Sequence, residues 1–164
     1  MHSPLSFRET GSGQPLIILH GLFGSAINWR RIGDMLKSNW RVVMPDLPNH
    51  GNSPWSDDMS YPAQAQILKN FIVRHDLSNP VIVGHSMGGK VAMALALSGQ
   101  CLINRLVIVD IAPVSYPHSH LELIQAMRTL PLAQISTRHD ADQFLAPAIP
   151  TSGLRQFLLQ NLII

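Results

Sequence analysis

The sequence predicts an α/β protein, a three-layer sandwich with a mostly parallel central sheet and helices on both of its faces. Three observations carry that expectation. Short apolar runs recur without polar alternation, longer stretches of helical spacing separate them, and polar or glycine residues follow the runs directly. Strands buried on both faces read as continuous apolar runs, and strands alternating with helices imply a covered parallel sheet.

The runs fall at residues 16–19, 42–44, 81–83 and 106–109, and are rich in Val, Ile and Leu. Helical spacing occupies residues 26–37, 62–75 and 87–98. Right-handed crossovers between such elements gather the chemistry at the carboxyl ends of the strands. There stand His20-Gly21, Asp46, Gly84-His85-Ser86 and Asp110, one group after each run. After Pro113 the strand rhythm stops, and helical pieces are broken by Pro117, Pro131, Pro147, Pro150 and Gly153. Leu121, Ile124, Met127 and Leu130 share one side of one piece, and Leu154, Phe157 and Leu158 of another. No internal repeat or low-complexity tract interrupts the chain.

Composition narrows the function. With 164 residues, 46% hydrophobic and 13% charged, the chain can bury a core and is not expected to be disordered. Its 12 basic and 10 acidic side chains nearly cancel, which gives no footprint for nucleic acid. Cys101 is the only cysteine, so no internal disulfide and no thiolate cluster for a metal can form. No stretch approaches the ~20 apolar residues of a membrane span, and the start lacks a signal-peptide pattern. A soluble, cytoplasmic protein without metal or organic cofactor is the expectation.

Gly84-His85-Ser86-Met87-Gly88 satisfies G-x-S-x-G between a predicted strand and a predicted helix. That context marks a nucleophile elbow. The turn is tight, so side chains at positions 84 and 88 would collide with backbone, and Gly89 lets the helix approach closely. Ser86 is the candidate nucleophile, which needs a base oriented by a carboxylate. The helix start offers the Met87 amide as an oxyanion donor. A rival pattern overlaps the same residues, because Gly84 to Lys90 also fits G-x-x-x-x-G-K of phosphate-binding loops. It fails at Val91, where a Ser or Thr should bind magnesium.

His20-Gly21-Leu22-Phe23-Gly24-Ser25 leaves another predicted strand, and its glycines free backbone N–H groups to form the second half of an oxyanion hole. Together with Asp46-Leu-Pro-Asn-His-Gly-Asn-Ser53, GHSMGGK and Val109-Asp-Ile-Ala-Pro113, this loop resembles the α/β-hydrolase fold superfamily. More narrowly it is similar to the small esterase or thioesterase branch related to abhydrolase-domain proteins. The resemblance implies oxyanion donation by the Leu22 and Met87 amides, Phe23 beside the acyl pocket, and Asp110 as the triad acid. It makes the Asp46 loop a structural turn. His20, Gly21, Phe23 and His85 are the candidate substrate-binding residues.

The resemblance also orders the triad as serine, acid, histidine, so the base should follow Asp110. Only His118, His120 and His139 do so, all in the segment that resembles a cap. The expectation is therefore that residues 1–114 form the N-terminal part of the hydrolase core and 115–164 begin a helical cap. The remaining strands and the histidine loop would lie outside these residues, leaving this segment inactive alone and the edge of its last strand open. The expected reaction is hydrolysis of a small acyl ester or thioester. Within the same fold a C–C-bond hydrolase or haloperoxidase-like enzyme shares the elbow. Outside it stand a non-catalytic binding module and the phosphate-loop nucleotide binder.

Overall fold

The computed structural model describes residues 4–116 and 119–164. They cluster into two compact units, one reaching to Pro113 and one covering Val114–Ile164.

The first unit is built on a five-stranded sheet: β1 (Phe7–Thr10), β2 (Pro15–Leu19), β3 (Arg41–Pro45), β4 (Val81–His85) and β5 (Arg105–Val109), in the order β1-β3-β2-β4-β5. Only β1 runs antiparallel, pairing Phe7 with Pro45 and Thr10 with Val42. The other pairings are parallel. The expected mostly parallel α/β sheet is therefore present, with one strand added at an edge.

Side-chain alternation along β2 and β3 explains why these runs lack polar residues. Leu16, Ile18, Val42 and Met44 face one layer with Trp29, Leu36 and Trp40, while Ile17, Leu19 and Val43 face another with Leu68, Phe71, Val91 and Leu95. Both faces are covered, and each fully buried Ile or Leu contributes ~1.5–3 kcal/mol. The first layer comes from a 3-10 turn (Ala26–Trp29) running into α1 (Arg30–Leu36), not from one continuous helix. The second is α2 (Tyr61–Arg74) beside α3 (Met87–Leu97). Ser60 caps α2 by accepting from the Ala63 amide, and Pro62 stands in its first turn, where a missing N–H costs nothing.

β5 departs from the reading of its run as buried on both faces. Leu106, Val107 and Val109 are 36%, 45% and 37% exposed. Among the described residues β5 pairs with β4 alone, leaving its outer edge open.

The second unit contains α4 (Leu121–Arg128), α5 (Arg138–Leu145) and α6 (Ser152–Leu158). Thr137 and Asp140 form a capping box at the start of α5. Arg155 grips Asp142 through two bonds of 2.7 and 3.0 Å and donates to the Ile149 and Pro150 carbonyls, tying α6 to α5 and the loop between them. Ala141, Leu145, Ile149, Leu158 and Leu159 are buried.

Candidate active site

Ser86 sits between the last residue of β4 and the first of α3, with φ 49° and ψ −115°. Few non-glycine residues occupy this region, and holding one there costs ~1–3 kcal/mol. The glycines around it make the turn possible. A Cβ on Gly84 would fall 2.6 Å from the Gly88 carbonyl oxygen, and one on Gly88 would fall 2.6 Å from the His20 carbonyl oxygen and 2.7 Å from the Leu19 side chain. Helix α3 is therefore wedged against the ends of β2 and β4 at van der Waals limits. Neither position accepts a side chain without displacing backbone.

The strand register sets the neighbours of Ser86. Leu19 pairs with Gly84 on one side and His85 with Val109 on the other. The Ser86 amide extends the second ladder by donating to the Val109 carbonyl at 3.0 Å. Asp110, the next residue, has φ 55° and turns its side chain outward, 85% exposed, with Oδ2 3.8 Å from His85 Nε2. On the β2 side, Gly21 approaches so closely that an added Cβ would lie 2.9 Å from His85 Nδ1 and 3.3 Å from Ser86 Cβ. The Trp29 ring meets His85 edge-on with centroids 6.0 Å apart. Ser86, Gly21, His85 and Asp110 thus share one end of the sheet.

Among the described residues neither Leu22 N–H nor Met87 N–H donates to a backbone acceptor. Phe23, with φ 63°, lies in the same loop, which closes through a 3.0 Å bond from Gly24 N–H to the Gly21 carbonyl.

His20 is placed differently from a substrate contact. Its side chain is 1% exposed, and both ring nitrogens meet backbone: Nδ1 lies 2.8 Å from the Gly21 carbonyl, and Nε2 accepts from the Leu47 amide at 2.9 Å. An acceptor at Nε2 and a donor at Nδ1 define the neutral Nδ1–H tautomer. Burial lowers this ring from 6.5 to about 4, against the opposing pull of the Gly21 carbonyl. Burial likewise lowers His50, whose Nδ1 meets the Pro48 carbonyl and whose ring packs on His20 with centroids 5.1 Å apart. Asp46 has the character of a turn residue. Its Oδ1 accepts from the Ala26 amide, its Oδ2 from the Asn52 amide, and its carbonyl from Ser53 Oγ.

Sequence reasoning missed the Leu47 amide as a site element. The signal was an apolar residue directly after Asp46 at a strand end, and nothing in it named His20 as partner. Of the later histidines, His120 and His139 belong to the second unit and are exposed, and His118 lies outside the described residues. Among the described residues no cluster of three or more His, Cys, Asp or Glu side chains could hold a metal ion. No helix there is long and apolar enough to cross a membrane.

A serine held in a left-handed turn at the carboxyl end of a mostly parallel, two-faced sheet defines an α/β protein of partial hydrolase-type core. The chain belongs to the alpha/beta hydrolase fold family, which matches residues 14–150. It is 41% identical over 156 residues to the mouse sn-1-specific diacylglycerol lipase ABHD11, covering 90% of this chain and 51% of that protein. It is 34% identical over 153 residues to esterase YbfF of Escherichia coli, covering 93% of this chain and 60% of that one. A solved marine microorganism esterase superposes with a TM-score of 0.92 at 41% identity, covering 96% of this chain and 63% of its own. The chain thus spans about half to three fifths of the curated relatives named.

Proposed function

We propose that these residues belong to a serine hydrolase of carboxylic-ester or acyl-thioester substrates, working through an acyl-enzyme on Ser86. The observation that carries the reading is the Ser86 backbone, whose φ of 49° breaks the chain between β4 and α3, beside Gly21 and next to the end of β5 that leads into Asp110. Esterase and lipase relatives support the ester class.

In this reading Ser86 Oγ attacks the acyl carbon while a histidine takes its proton. Negative charge moves to the carbonyl oxygen, which the Leu22 and Met87 amides and the start of α3 stabilise; one such donor is worth ~3 kcal/mol. The same histidine returns the proton to the departing alkoxide or thiolate. Water, deprotonated by the histidine in turn, then attacks the acyl-enzyme, and the imidazolium returns that proton to Ser86 Oγ as the acyl–oxygen bond breaks and the acid leaves. Asp110 orients the imidazole and balances its charge. In the same reading residues 1–114 are the N-terminal part of the core and 115–164 begin a helical cap.

The histidine itself is assigned outside these 164 residues. His20 and His50 are buried against backbone carbonyls. His75 packs against the Phe7 and Phe71 rings, and His85 precedes Ser86 on β4. The match covers 51% of the mouse lipase and 60% of esterase YbfF, and our reading assigns the base to a part of the protein outside these residues.

The nucleotide-binding alternative has nothing to recommend it, because Val91 is fully buried in α3. The test is fluorophosphonate labelling of the complete protein with peptide mapping, alongside turnover of matched oxygen and thio esters. Labelling at Ser86, and a loss of turnover on the order of a millionfold in Ser86→Ala, are expected. An unlabelled Ser86, or ester cleavage that survives Ser86→Ala, removes the proposal.

A further inference from the structure

The buried ring of His20 has no part in the proton transfers above, yet it touches the peptide that matters most on the β2 side. A peptide unit is planar and trans, so its C=O and N–H point in opposite directions. The Gly21 carbonyl and the Leu22 amide are the two ends of one such unit. Two donors hold the carbonyl end: His20 Nδ1–H at 2.8 Å and Gly24 N–H at 3.0 Å. The His20 ring is held in turn by the Leu47 amide on Nε2 at 2.9 Å, 27 residues along the chain. With its carbonyl fixed toward the buried ring, the unit can present only its N–H on the other side.

We propose that His20 is a positioning residue that clamps the Gly21–Leu22 peptide, so that the Leu22 amide faces the oxygen of the substrate carbonyl under attack. The inference rests on Ser86 and Leu22 acting as assigned above, and it adds a chain of command. The loop after β3, through Leu47 N–H, fixes the tautomer of His20, and His20 fixes one oxyanion donor. Solvent reaches neither bond, so the arrangement is set before substrate arrives. The neutral ring is required, because a proton on Nε2 would confront the Leu47 N–H with another donor. Burial keeps that proton off until about pH 4.

Two substitutions divide the clamp. His20→Asn leaves an amide near the Nδ1 position, able to donate to the Gly21 carbonyl but unable to reach Leu47. His20→Gln leaves an amide oxygen near the Nε2 position, able to accept from Leu47 but without the donor to Gly21. Both are measured in the complete protein, with kcat expressed per Ser86 labelled by fluorophosphonate so that unfolded material is not counted. His20→Gln is expected to lower kcat roughly tenfold or more, short of the ~10²–10³ that follows loss of a whole donor. Its KM should hardly change, and its affinity for a boronic-acid transition-state analogue should fall in parallel with kcat. His20→Asn should keep kcat within about threefold of wild type while losing stability, since the donor that sets the oxyanion peptide remains.

Equal kcat in the two variants, or wild-type kcat and boronate affinity in His20→Gln, overturns the inference. Should neither variant fold, nitrogen-15 NMR of the wild-type protein decides it. The ring must carry its proton on Nδ1, and boronate binding must shift the Leu22 amide proton downfield; failure of either overturns the clamp. A Ser86 that does not label in the wild type removes the hydrolase reading itself and the clamp with it.

Discussion

Acidification from pH 7 to pH 4 is expected to destabilise the first unit by roughly 3 kcal/mol through His20 alone. The ring is 1% exposed, and burial lowers it from 6.5 to about 4, with His50 and His85 pushing the same way and Asp46 opposing. The unfolded chain therefore takes up this proton near 6.5 and the folded chain near 4. Between those values the unfolded state binds more protons, so stability falls as the pH falls. Above the window both states are neutral at this site, and below it both are charged. At about 1.36 kcal/mol per pH unit, the window amounts to the roughly 3 kcal/mol stated. Trp29, Trp40 and Trp55 all lie in the first unit, so urea unfolding followed by tryptophan fluorescence reports it. Wild type and His20→Gln are compared from pH 7.5 to pH 4. The wild-type protein should lose roughly 3 kcal/mol more than the variant across that range. His50, lowered in both proteins, supplies a common background slope. Parallel curves would refute the reasoning, because they would show that burial of this ring carries no proton linkage.

Three further outcomes follow from other contacts. Asp110→Asn should lower kcat about 10⁴-fold while Ser86 keeps its place, the size expected when a triad carboxylate is neutralised; wild-type turnover in that variant ends the assignment. Gly88→Ala should destabilise by about 1–3 kcal/mol, because its methyl group would enter within 2.6 Å of the His20 carbonyl oxygen; an unchanged thermal midpoint would show that α3 can retreat. Arg155→Lys should speed limited proteolysis between α5 and α6, since an ammonium cannot grip Asp142 through two bonds and hold the Ile149 and Pro150 carbonyls as well. Unchanged cleavage there would deny the guanidinium its tying role.

The parts of the fold legible in the sequence are those where burial is symmetrical. The central residues of β2, β3 and β4 are apolar and mostly buried, so their runs stand out, with only Arg41 opening β3 and His85 closing β4 as charged or titratable residues. β1 escaped notice because it is four residues long at an edge, and its central Arg8 and Glu9 are exposed. Only its pairing with β3 makes it a strand. The segment before β3 shows helical spacing throughout, yet it starts as a 3-10 turn, with Asn28 Oδ1 accepting from the Ser25 amide. β5 has the composition of a buried strand and an edge position, a difference that composition alone does not encode.

In the candidate site the motif located Ser86, because the strained turn demands glycines at fixed offsets. The role of His20 was not legible. A histidine before glycine at a strand end suits a solvent-facing contact as well as a buried clamp, and only the fold brings Leu47 to its ring.

The bond from Ser86 N–H to the Val109 carbonyl has one more consequence. In the proposed reaction it ties the backbones that carry nucleophile and acid into consecutive steps of one ladder, so thermal drift carries the two main-chain positions together. Only the imidazole is left to be delivered, and its docking entropy is the one orientational penalty the triad must still meet.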